Sequence, residues 1–153
     1  MKKILLLLFL SVLMSTPTFG GDELLEKLMS AKTLKCEFGA GAYADWQQSS
    51  VKVKKDRFNS TFIFESIDLE AGTARVVAYE DDGSDSVSET TVFVTDCGLT
   101  FIGMRAFGNL SITTIFSAYA KDTKDIIAVN SRHTAFARQA QPSQYHGTCK
   151  ILE

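Results

Sequence analysis

From Thr33 onward the chain alternates. In TLKCEF, Leu34, Cys36 and Phe38 fall on one side of an extended backbone, and Lys35 and Glu37 fall on the other. That two-residue period marks a strand with one buried face. SSVKVKK repeats it, so Val51 and Val53 are expected to face inward and Lys52 and Lys54 to face water. Further runs follow: STFIFESI, TARVVAYE, TTVFVTD, LTFIGMRAF, NLSITTIFSAYA, DIIAVNSRHTAF and YHGTCKIL. Their branched and aromatic side chains suit a pleated surface. Between them lie LEAG, EDDGSDS, CG, FGN and AKDTKD, with the glycine, asparagine and aspartate that tight reversals need.

None of these connections is long enough to hold a crossover helix, so parallel pairing is excluded for nearly all of the strands. The expected fold is all-β: a single antiparallel meander of about eight to nine strands, closed or nearly closed into a barrel that hides its edges. The chain has two prolines, Pro17 and Pro142, and neither interrupts a ladder. One short helix is expected ahead of the strands, capped by Asp22, with Leu24, Leu25, Leu28 and Met29 on one side and a place as a plug on the barrel rim.

The first twenty residues read as an address. Lys2 and Lys3 precede the apolar run Ile4 to Met14, and Ser15 to Gly20 forms a short polar exit with Thr18 and Gly20 at positions −3 and −1 of a cut after Gly20. This is the secretory pattern. The apolar run is shorter than the roughly 20 residues a spanning helix requires. No cysteine follows the cut to take a lipid anchor. The expected organisation is therefore a signal peptide over 1–20 and one β-domain over 21–153, periplasmic or secreted from a bacterium and not membrane-spanning once the signal is removed. The sequons at Asn59 and Asn109 would matter only in an endoplasmic reticulum.

The whole chain carries a formal charge of −2; without Lys2 and Lys3 it has 14 basic against 18 acidic residues, or −4. A nucleic-acid partner is not expected, because phosphate neutralisation needs a concentrated positive face. The one basic cluster, KVKKDR over Lys52 to Arg57, reads as the solvated side of a strand.

Three cysteines remain after the signal, Cys36, Cys97 and Cys149. An odd count in an oxidising compartment implies one bridge and one free thiol. In an up-and-down barrel the first strand closes against the last. Cys36 shares a face with Leu34 and Phe38, and Cys149 shares one with Ile151, so a Cys36–Cys149 disulfide across the seam is the expected pairing, with bridges through Cys97 as the alternatives.

Signals for catalysis are weak. Metal spacing of the C-x-x-C or H-x-x-x-H kind is absent, and no metal or other cofactor is expected. Cys149 and His146 differ in strand parity and point apart, which spoils a thiolate–imidazole pair. There is no G-x-S-x-G elbow. The carboxylates of Glu80 to Asp85 read as turn residues that lack a calcium-loop spacing. Because no complete catalytic constellation assembles, an enzyme is not expected.

The polar residues near the chain's end are the better candidates. SRHTAFARQAQPSQYHGTC holds both histidines. Either face of IIAVNSRH puts a polar group, Arg132 or His133, near a barrel end. With Trp46 and Tyr145 these residues could anchor a ligand at a barrel mouth, since small barrels hold small ligands oriented by few polar groups.

The succession LTFIG, GNLSITTIF, AVNSRH and PSQYHGTC resembles a family of small exported bacterial proteins of no known activity. The resemblance covers most of residues 21–153 and implies an all-β exported domain, with no site to carry over. In architecture the chain is also similar to lipocalin-type barrels, yet Trp46 follows Asp45 and Ala44 and so lacks the lipocalin glycine-x-tryptophan entry. Fold leaves function open. Two functions are expected ahead of an enzyme. One is a binding module for a small apolar molecule or peptide. The other is an envelope structural or interaction protein with a filled core and a protein partner.

Overall fold

The computed structural model describes residues 21–47, 50–79, 83, 85–104, 109–136 and 139–152. After helix α1 (Gly21–Ser30) come the strands β1 (Leu34–Gln47), β2 (Ser50–Asp68), β3 (Thr73–Tyr79), β4 (Asp85–Thr95), β5 (Gly98–Met104), β6 (Leu110–Tyr119), β7 (Ile126–Phe136) and β8 (Gln139–Ile151). Each strand pairs antiparallel with the next, and β8 returns to β1, so the sheet closes in a ring. Closure removes the edges that an open meander would leave exposed.

The strands number eight because SSVKVKK and STFIFESI form one uninterrupted strand, β2. That continuity also corrects an expectation. Phe62 and Phe64 of β2 are buried, so even-numbered positions face the interior, and the same alternation carries Val51 and Val53 outward. Both are exposed. Lys54 lies instead on the inward-facing side, paired with Asp45. β1 also runs well past Phe38. It falls out of step between Phe38 and Gly41, where its register shifts against both β2 and β8. Beyond that bulge Gly41, Tyr43 and Asp45 face the barrel axis, while Ala42, Ala44 and Trp46 face outward.

Turn chemistry follows the residues. The Asp68 carboxylate accepts hydrogen bonds from the amides of Glu70 (3.0 Å) and Ala71 (2.9 Å), an Asx-type reversal that Gly72 completes at a φ of 68°.

The core fills the end of the barrel where α1 sits. Leu24 and Leu28 of α1 are buried there, beside the strand ends of β5 and β6, while Met29 is exposed. Asp22 falls within the described helix instead of ahead of it, and its side chain lies outside the described residues. Leu34, Leu99, Ile115, Ile126 and the Cys36–Cys149 disulfide pack above it. A column of rings then climbs the barrel. Phe101 stacks on Phe64 at 4.1 Å, Phe64 meets Phe62 at 6.2 Å, Phe62 meets Phe58 at 6.0 Å and Phe58 meets Tyr145 at 4.8 Å.

A polar layer sits at mid-height. Asn130, fully buried, donates through Nδ2 to the hydroxyls of Ser111 (2.9 Å) and Thr113 (2.8 Å). Beside it, Ser88, Thr90, Ser111 and Thr113 line a void of only about 20 Å³ among Phe62, Phe64 and Phe101.

Candidate functional site

The end of the barrel opposite α1 opens into a pocket of about 320 Å³, lined by Tyr43, Asp56, Asn109, Arg132, Thr134, Ala135, Gln141, Ser143 and Tyr145. The outer halves of β1, β2, β7 and β8 build it, together with Asn109 just ahead of β6. Arg132 points in because it shares parity with Ile126, Ala128 and Asn130, which are buried. Its guanidinium carbon lies 4.5 Å from the centroid of the Phe58 ring, a favourable cation–π geometry.

Phe58 in turn packs against Tyr145, and the Tyr145 hydroxyl donates to Asp56 Oδ2 at 2.6 Å. The floor of the mouth is thus an aromatic shelf with a cation above it and a carboxylate tied to its edge. Burial, reinforced by the hydrogen bond to Asp56, pushes the Tyr145 phenol above its usual pKa, against lowering by a hydrogen bond with Ser143 and by the charge of Arg132. Gly41 lies opposite Tyr145 in the β1–β8 ladder. A Cβ there would strike the Tyr145 ring and the Gln144 carbonyl, so glycine permits the close approach behind the shelf.

The rim is fastened by local bonds. Thr134 Oγ1 donates to the Gln141 carbonyl at 2.7 Å across the β7–β8 hairpin. Asn109 Oδ1 accepts from the Ala135 amide at 3.3 Å.

Of the four residues expected to anchor a ligand, Arg132 and Tyr145 meet in this pocket. His133 does not join them: one position along β7 from Arg132, it lies on the outer face and is exposed. His146 is likewise exposed on the outer face of β8. Trp46 lies past the β1 bulge and is turned outward, half exposed. Sequence reasoning missed Asp56 and Phe58. Both share the inward parity of Phe62 and Phe64, and extending that alternation backward through KVKKDRF would have found them.

Cys36 and Cys149 are directly opposed in the β1–β8 ladder and joined to each other. Cys97 is free and exposed in the turn between β4 and β5. Among the described residues no three of His, Cys, Asp and Glu gather as a metal site. Glu80, Asp81, Asp82 and Ser84 of the acidic turn, like residues 1–20, lie outside the described residues.

No protein-family model, curated protein or solved structure matches the chain. The disulfide suggests an oxidising compartment. No described helix is long and apolar enough to cross a membrane.

Proposed function

We propose that the protein is an exported, non-enzymatic binding module that takes its ligand at the barrel mouth. Small polar molecules bearing both charges, or short peptides, suit that mouth better than apolar cargo. The observation carrying this reading is the pairing of a filled interior, with a void of about 20 Å³, and an open mouth of about 320 Å³ that presents Arg132 and Asp56 around the Phe58–Tyr145 shelf. A guanidinium can grip a carboxylate through two parallel hydrogen bonds. Asp56 offers the opposite charge for an amine, and the ring edges give an apolar backing.

Titration of isotope-labelled protein with a panel of dipeptides tests this. Shifts should concentrate at Arg132, Tyr145, Asn109 and Gln141. Arg132→Gln should weaken the best binder about tenfold or more, the scale of a lost charge-assisted hydrogen bond. A silent panel, with no co-purifying molecule in native mass spectra of protein from its own host, would count against a binding module.

The filled interior also favours a second reading, an envelope interaction protein whose partner is another protein. Cross-linking in intact cells that captures one partner, together with a silent dipeptide titration, would favour it.

A further inference from the structure

The β1–β2 hairpin projects beyond the ring. β8 follows β1 only as far as Tyr43, and β3 follows β2 only as far back as Thr61. On the outer face of this arm Trp46 stands opposite Val51, and Ala44 stands opposite Val53. These are exposed apolar groups: Val53 is 75 % accessible, Trp46 50 % and Val51 45 %. Lys55 and Arg57 continue the same outward row toward the barrel, opposite Ala42 and Ala40. Lys52 and Lys54 face the other side, Lys54 bound to Asp45 at 2.5 Å and over the Tyr43 ring at 5.8 Å.

We infer that this arm docks on an anionic lipid surface, with Trp46, Val51 and Val53 entering the headgroup boundary and Lys55 and Arg57 meeting the phosphates. Charge complementarity selects that occupant. Residues 43–58 hold Lys52, Lys54, Lys55 and Arg57 against Asp45 and Asp56, a net +2 on a chain whose total is −2. Protein interfaces are depleted in lysine. Tryptophan beside lysine and arginine on one face is the composition of segments that lie in the membrane interface. Each basic side chain near an anionic leaflet adds to the attraction. The mouth pocket plays no part, so the inference stands apart from the proposed function.

Trp46 is the single tryptophan of the chain, so its fluorescence reports on the arm alone, whatever other segments do. With vesicles of phosphatidylglycerol and phosphatidylcholine, the emission should shift to the blue, and the shift should shrink as salt rises. Phosphatidylcholine vesicles alone should leave it nearly unmoved. Val53→Glu, at an exposed site that no packing depends on, should abolish the shift. Lys55→Gln with Arg57→Gln should weaken partitioning roughly 30-fold. The inference is overturned by an unmoved emission on anionic vesicles, by an equal shift on neutral ones, or by a blue shift that appears with protein concentration alone and so marks a second copy as the occupant.

Discussion

Cys36 and Cys149 face each other across the seam where the first strand meets the last, with Cα atoms 4.0 Å apart at a sequence separation of 113. The bridge therefore locks the one strand pair that no hairpin connects. Every other neighbouring pair is joined by a connection of only a few residues. The β1–β8 pair must otherwise form across the longest separation in the domain, at the greatest cost in chain entropy.

Removing that lock should be expensive. Replacing both cysteines with alanine is expected to lower the unfolding free energy by about 5 kcal/mol in the chain-entropy account. Urea titrations of the two proteins measure the difference. A midpoint that stays put would mean that the seam is held by its packing and ladder alone.

Tyr145 predicts a change at alkaline pH. Burial and the hydrogen bond to Asp56 raise its pKa in the folded protein, so between the unfolded value, about 10, and the folded one the native state holds the proton more tightly. Stability from this group is complete below about pH 10 and is lost as pH rises through the folded pKa. In a pH series of urea midpoints, Tyr145→Phe should decline less steeply above about pH 10 than the parent.

The mid-barrel polar layer makes two opposite predictions. Thr90 is buried and its hydroxyl has no partner among the described residues. Thr90→Val should thus cost nothing or raise stability by up to about 1 kcal/mol. Asn130 differs, because its amide donates to two hydroxyls in a fully buried setting. Asn130→Ala should destabilise by about 2 to 3 kcal/mol, through lost bonds and the space left behind. Thermal melts of both variants read the contrast.

The histidines should be bystanders. With both side chains exposed on the outer face, His133→Gln and His146→Gln should each change stability by less than about 0.5 kcal/mol. Dipeptide binding at the mouth should be unaffected, and a loss of binding in His133→Gln would place the working site on the outer wall instead.

Much of the architecture was legible in the alternation of residues. TLKCEF and YHGTCKIL have one clear face each, and their parity was enough to place two cysteines on the same side of the seam. The β1–β2 hairpin was not legible. Gly39, Ala40, Gly41, Ala42 and Ala44 have little side-chain contrast, so the pattern there carries almost no phase information. The valine–lysine alternation of SSVKVKK fits either facing taken alone. Only its continuity with STFIFESI decides, and taking the two as separate runs hides that continuity. The same gap concealed Asp56 and Phe58, and with them half of the mouth. Arg132 and Tyr145 could be nominated because the polar residues of β7 and β8 lie close together in the chain; the choice between Arg132 and His133 needed the register.

The irregularity between Phe38 and Gly41 has an evolutionary corollary. It sets which of two interleaved residue rows, Tyr43 with Asp45 or Ala44 with Trp46, looks into the mouth. A one-codon insertion or deletion in that stretch would swap the two β1 rows, turning the indole to the mouth side and setting Tyr43 and Asp45 beside Val51 and Val53 on the outer face. Descendants of this chain could trade a tyrosine for a tryptophan above the opening without a single substitution.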